Sequence, residues 1–239
     1  MIGIIGAMEV EVAKLREAMN IRQTQRFAGM TFDSGELFGQ DVVLVRSGVG
    51  KVNAAVCVQV LCDRFGVEQV WNTGIAGALD DRIRIGDIVI SADAVQHDVD
   101  AVVFGYAKGE IPQMGVSVFP ADRAAAELAQ QVCREEIPEI AAFCGRVVSG
   151  DQFVVDRKKK QELSKEFHGL CTEMEGAAVA QAAYLNGVPF LIVRAISDQA
   201  DDSANMDYDT FERLAVEHMI RLVTGMLKRL EKNGEEGRL

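Results

Sequence analysis

From Leu170 to Asp202 the chain reads LCTEMEGAAVAQAAYLNGVPFLIVRAISDQADD. An apolar run, an alanine-rich stretch at helical spacing, a second apolar run and a polar loop follow one another. Each junction carries an acid. Glu173 and Glu175 stand where the first run gives way to the helix, and Asp198 follows the second run, Val188 to Ile196. Ligands in open α/β sheets gather outside the carboxyl ends of parallel strands, so these acids are expected to face one crevice. Glu11, far away at the N-terminus, is expected to supply the other half of that site.

The rest of the chain builds the sheet that brings these acids together. Residues 2–6 (IGIIG) form a buried strand, and Met8 to Met19 has helical spacing with Val12, Leu15 and Met19 on one side. Gly29–Leu37 and Val42–Arg46 read as a hairpin around Phe38-Gly39-Gln40-Asp41. A glycine turn then opens a helix with Val52, Val56, Val60 and Leu61 inward. Gln69–Asn72 is a strand leading into a second glycine turn, TGIAGAL, and Asp87–Gln96 is another strand. Residues 97–120 are irregular, and a long connection of that kind marks a functional loop or an interface. Residues 121–136 read as a helix, Cys144–Ser149 as a strand, and Asp156–Phe167 as a helix capped by its aspartate. Tyr208–Leu230 is a long amphipathic helix, and residues 230–239 read as a frayed tail.

This alternation predicts an α/β fold, a three-layer αβα arrangement with helices on both faces of a largely parallel or mixed sheet. With 239 residues, 49% of them hydrophobic, and no linker or repeat, residues 1–239 read as one domain. A net charge of −11 argues against nucleic acid or an anionic membrane as partner, though not against a nearly neutral nucleoside. No apolar run is long enough to span a bilayer, and MIGIIGAMEVEV lacks the basic start of a signal peptide. The five cysteines (57, 62, 133, 144 and 171) form no CxxC pair and read as reduced thiols of a cytoplasmic protein. The three histidines show no ligand spacing, so neither metal nor cofactor is expected.

Ser47-Gly48-Val49-Gly50-Lys51-Val52-Asn53 imitates a dinucleotide fingerprint. Asn53 stands where a third glycine would allow close helix–strand packing, and small residues suit any strand-to-helix turn. The loop alone names no ligand.

Six motifs in order carry more information. GIIGAMEVEV (3–12), SGVGKVNAA (47–55), NTGIAGAL (72–79), SGDQFV (149–154), EMEGAA (173–178) and RAISD (194–198) cover nearly the whole chain. Together they resemble the nucleoside phosphorylase and nucleosidase superfamily, which implies that the central mixed sheet is curved. The resemblance implies hydrolysis of the N-glycosidic bond of adenine nucleosides with a 5′ substituent, such as 5′-methylthioadenosine, S-adenosylhomocysteine and 5′-deoxyadenosine. It implies that Asp198 protonates purine N7, that Glu11 activates water, and that Glu175 holds the ribose hydroxyls above Met174. Phe153 is implied beside the adenine, the Val154 backbone at the base edge, and Gly77 in the loop lining ribose and base. Met8, Val49, Phe104, Pro112 and Tyr208 are implied around the 5′ group, with Phe104 reaching into the partner site of a homodimer.

The residue types suit this chemistry independently. Cleavage of an N-glycosidic bond needs an acid for the leaving base and a carboxylate that draws a proton from water on the other face. Asp198 must then hold a proton near neutrality while Glu11 stays ionised. An ionised Glu175 accepts hydrogen bonds from two vicinal hydroxyls. Arg194 reads equally well as a charge balance for Glu175 or as a structural ion pair. Taken alone, Glu9 and Glu11 are first-turn helix acids, Glu173 a cap, and Asp198 a turn residue. Three alternatives remain: a phosphate-dependent phosphorylase, an aminofutalosine nucleosidase, and a non-catalytic nucleoside binder. A carboxylate at the nucleophile position repels phosphate and suits water. Ile75 stands where some relatives of this kind have serine, which bears on substrate preference.

Overall fold

The computed structural model describes residues 1–200 and the helix 204–236, except the side chains of residues 204–210 and 231–236. The strands are β1 (Ile2–Gly6), β2 (Asn20–Phe27), β3 (Met30–Leu37), β4 (Gln40–Arg46), β5 (Gln69–Ala78), β6 (Ile88–Gln96), β7 (Phe119–Pro120), β8 (Ala142–Ser149), β9 (Gly169–Glu173) and β10 (Phe190–Asp198). The α-helices are α1 (Glu9–Ala18), α2 (Lys51–Val60), α3 (Arg123–Glu136), α4 (Arg157–Phe167), α5 (Gly176–Asn186) and α6 (Ala204–Glu236). A π-helical turn, Leu61–Phe65, extends α2. No helix among the described residues is long and apolar enough to cross a membrane.

The strands form one mixed sheet in the order β10-β6-β8-β9-β5-β1-β4-β3-β2, with β7 beside β6. β10 also pairs with β5, so β5, β10, β6, β8 and β9 close into a ring. Alternation along the strands sorts the side chains into two cores. Ile4, Leu44, Trp71, Ile90 and Val193 pack with α1, α3 and α6; Ile5, Val43, Val70, Val89 and Ile192 pack with α2 and α5. The expected αβα layering follows from that division. Helix α5 is sheathed in alanine and buried over most of its surface, which lets it lie close to the sheet.

Several expectations are corrected. Val52 is 74% exposed and Val56 also faces outward, while Ala54, Cys57, Val58 and Leu61 are buried. The valines suggested the inward face by hydrophobicity, but Gly50 sets the start of α2 and turns its small residues toward α5. TGIAGAL is no turn: Thr73 to Ala78 continue β5, because glycine in this strand admits close neighbours without breaking the ladder. Residues 20–27, given no element by sequence, form β2, a polar and largely exposed strand antiparallel to β3. Helix α6 runs to Glu236; the side chains of residues 231–236 and all of residues 237–239 lie outside the described residues. Finally, β9 runs antiparallel to β5 whereas β10 runs parallel to it. The acids of β9 and β10 therefore meet where oppositely directed strands converge, not at the ends of two parallel neighbours.

Candidate active site

One edge of β5 changes partner along its length. Ile2–Ile5 of β1 pair with Gln69–Asn72, and Cys171–Thr172 of β9 pair with Gly77–Ala78. Between them the edge is open. The Ile75 amide in that gap donates to Glu11 Oε1 at 3.1 Å, while Ala7 and Met8 amides donate to Oε2 at 2.7 and 2.9 Å. Glu11 thus closes both the sheet edge and the first turn of its own helix. Gly74 lies beneath it, where a Cβ would come within 2.4 Å of Glu11 Oε1 and 2.5 Å of Arg194 Nη1. A side chain at 74 is excluded by that close approach.

A cavity opens above this gap. It is lined by Ala7, Met8, Glu11, Val49, Ile75, Ala76, Gly77, Gln152, Phe153, Val154 and Thr172 to Glu175, with Ser197 and Asp198. Of the residues anticipated from sequence, Glu11, Asp198, Gly77, Phe153, Val154, Met174, Glu175, Met8 and Val49 all line it. Phe104 and Pro112 do not: both are exposed on the 97–120 connection of this chain. The Tyr208 side chain lies outside the described residues. Arg194 does not line the cavity either; it is buried behind the acids.

The electrostatics centre on that arginine. Its guanidinium donates through Nη2 to Glu173 Oε2 and to Asn72 Oδ1, and lies 4.0 Å from Glu175 Oε2. Burial alone would lower its pKa, but Glu173, Glu175 and Glu11 together hold it above the ordinary value. Glu173 also accepts from the amides of Glu175 (3.1 Å) and Gly176 (2.8 Å) and from the Ser149 hydroxyl. It caps α5, as its sequence reading allowed, and holds Arg194 in place. Glu9 stays on the outer side of α1, paired with Arg16 and Arg46.

Glu175 takes its hydrogen bond from the Gly50 amide, 2.8 Å from Oε1. The glycine loop that imitates a nucleotide fingerprint therefore turns an amide onto a carboxylate of the protein itself. Burial, reinforced by Glu173, pushes the Glu175 carboxyl up to about 7, against the pull of Arg194 and Gly50. Burial also raises Glu11 above its ordinary value, with Arg194 and the three amides opposing it. The expectation of a permanently ionised Glu11 is thereby narrowed: it ionises at a higher pH than a solvated glutamate. Asp198 is oriented by the Ala200 amide at 2.8 Å on Oδ1 and the Ser197 hydroxyl at 2.9 Å on Oδ2. Gly77 leaves room for it, since a Cβ there would meet Oδ1 at 2.6 Å.

Sequence reasoning missed Asn72, Ser149, Thr172 and Gly74. All four sit inside motifs it had singled out, but their roles depend on cross-strand neighbours that no spacing reveals. Among the described residues no cluster of histidine, cysteine and acids could hold a metal ion.

Raised carboxyl values carry a stability consequence. With a folded pKa above the unfolded one, Glu175 binds more protons when folded. Its burial is therefore cost-free below about pH 4.5, and stability falls as the pH rises to about 7. Glu175→Gln is expected to melt a few degrees higher than the parent at pH 8 and close to it at pH 4.5. Equal differences at both pH values in a calorimetric scan would contradict that assignment.

The comparisons with known proteins agree with this geometry. The family model described as the phosphorylase superfamily matches residues 1–228. A curated 5′-methylthioadenosine/S-adenosylhomocysteine nucleosidase of Geobacillus thermodenitrificans is 41% identical over 98% of each chain. A crystal structure of the nucleosidase of that name from Neisseria meningitidis, in complex with methylthio-immucillin-A, superposes with a TM-score of 0.91 at 38% identity. That match covers 95% of this chain and 98% of the other. A futalosine hydrolase of Helicobacter pylori superposes with a TM-score of 0.90 at 32% identity, covering 95% and 97%. Matching these proteins in fold and over nearly its whole length, the chain belongs to the phosphorylase superfamily and, within it, to the 5′-methylthioadenosine/S-adenosylhomocysteine nucleosidase family.

Proposed function

We propose that this protein hydrolyses the N-glycosidic bond of 5′-methylthioadenosine and S-adenosylhomocysteine, and also of 5′-deoxyadenosine, releasing adenine and the 5′-substituted ribose. The observation that carries the reading is the buried carboxylate of Glu11 in the gap of β5. Three amides and Arg194 surround it, so the positive potential of that corner is already taken by a protein acid. Phosphate as nucleophile would meet a negative charge there; water meets a base.

In this mechanism Asp198, held by Ala200 and Ser197, donates its proton to purine N7 as the C–N bond lengthens. Glu11 takes a proton from the attacking water on the opposite face. Its raised pKa brings it closer in basicity to the task than a solvated carboxylate. Glu175 accepts the ribose hydroxyls, with Met174 under the sugar, and Arg194 behind it limits the repulsion among the acids. Phe153 stacks beside the base, and the Val154 backbone reads its edge. The whole chain serves as one domain. No metal or cofactor takes part in this reading. Its products belong to methionine salvage and the recycling of S-adenosylmethionine by-products, in the cytoplasm.

The enzyme acts as a homodimer in this reading. Phe104 is 80% exposed beside exposed Val102 and Val103, an apolar tip left uncovered by the described residues of its own chain. Seated on a second copy, the tip supplies Phe104 and Pro112 to the 5′ end of the neighbouring cavity. Phe104→Ala is expected to raise KM for 5′-methylthioadenosine several-fold with a smaller change in kcat. Sedimentation of a fully active monomer would overturn the shared site. Aminofutalosine remains a further substrate to assay, since apolar pockets at the 5′ end discriminate weakly.

Adenine release from 5′-methylthioadenosine, measured with and without phosphate, tests the reaction. Free methylthioribose at a phosphate-independent rate is expected; methylthioribose 1-phosphate would make the protein a phosphorylase. Asp198→Asn and Glu11→Gln are each expected to lower kcat by about 10²–10⁴-fold while retaining binding. Turnover at the parental rate by either variant would remove that residue from the mechanism. The acid limb of the parental rate is expected above the ordinary glutamate range, as the pKa of Glu11 is raised.

A further inference from the structure

Thr172 of β9 lines the cavity and is only 5% exposed, yet its Oγ1 has no hydrogen-bond partner among the described residues. A buried hydroxyl left unsatisfied costs about 1–3 kcal/mol, and valine would fill the same space without that cost. In this packing Oγ1 itself has almost no accessible surface, so a partner from outside the chain meets it as χ1 turns the hydroxyl toward the cavity.

The register of the sheet shows which part of a nucleoside it meets. Thr172 lies directly opposite Gly77 on β5, and Gly77 lies opposite Asp198 on β10. Directly opposed residues share a face, and the virtual Cβ of Gly77 points at Asp198 Oδ1. Thr172 and Asp198 thus flank a bare glycine at about two strand spacings, roughly 10 Å between backbones. A purine carries N7 on one edge and N3 on the opposite edge. If Asp198 addresses N7, as in the function proposed above on which this step rests, a base over Gly77 turns N3 toward Thr172.

We propose that Thr172 is a substrate-contact residue whose hydroxyl donates a hydrogen bond to N3 of the purine. The donor matches the acceptor, and the bond satisfies the orphaned oxygen only when substrate or adenine is present. As the C–N bond breaks, electrons move into the base and N3 becomes a better acceptor. The contact is then stronger in the transition state than in the ground state, which raises kcat as well as affinity.

The test uses Thr172→Val, which removes the hydroxyl and keeps the shape, and Thr172→Ser, which keeps the hydroxyl. Dissociation constants for adenine and for 3-deazaadenine, in which N3 is a C–H, are measured beside kcat and KM for 5′-methylthioadenosine. Thr172→Val is expected to melt no lower than the parent and to lose about tenfold in both adenine affinity and kcat/KM. Thr172→Ser should retain most of both. The parental preference for adenine over 3-deazaadenine should vanish in Thr172→Val. An unchanged preference in that variant overturns the N3 contact even if the enzyme remains a nucleosidase. A parent protein that neither binds adenine nor releases it overturns the proposed function together with this inference.

Discussion

Between Asn72 and Gly77 one edge of β5 has no strand beside it, and the Ile75 amide there is satisfied by the carboxylate of Glu11. A buried backbone donor must find a partner, so the departure of β1 from the sheet and the arrival of β9 leave a position that only a side-chain acceptor can fill. Glu11 fills it from the first turn of α1. The same carboxylate takes the amide of Met8, the residue that caps this helix, and that of Ala7 just before it. The cavity is the space this divergence creates, and the acid that heals the sheet is also an acid that lines the cavity.

Holding several carboxylates in so small a volume sets the second constraint. Arg194 rises from β10 beneath Gly74 and lies among Glu11, Glu173 and Glu175, buried with all three. Backbone amides from Gly50, Glu175, Gly176, Ala7 and Met8 complete the compensation. The balance is incomplete, since burial still leaves Glu11 and Glu175 raised. A site of this kind trades stability at neutral pH for carboxyl groups that hold their protons above the ordinary glutamate range.

Two glycine-rich segments illustrate how one composition serves different ends. In SGVGK the chain leaves β4 and turns an amide toward Glu175 at the mouth of α2. In TGIAG it stays extended, and the missing side chains at Gly74 and Gly77 admit Arg194, Glu11 and Asp198 against the strand. Local sequence could not separate the two, because both depend on what approaches from elsewhere in the fold. The same limit explains α2: its valines are its most hydrophobic residues, yet Val52 and Val56 face outward and leave an apolar strip on the surface.

By itself the sequence determined most of the succession of strands and helices, the layered α/β class and, through the resemblance its motifs carry, nine of the sixteen residues that line the cavity. Those features are local: a period of two or of 3.6, an acid at a junction, a motif of fixed length. Only the tertiary structure decided that β9 meets β5 in the opposite direction from β10, that the ring of five strands closes, and that Arg194 stands behind the acids instead of among the lining residues. It also decided the proton affinity of the carboxyl groups and the orphaned hydroxyl of Thr172. Desolvation, charge proximity and cross-strand register are properties of residues far apart in the chain, and no periodicity along it encodes them.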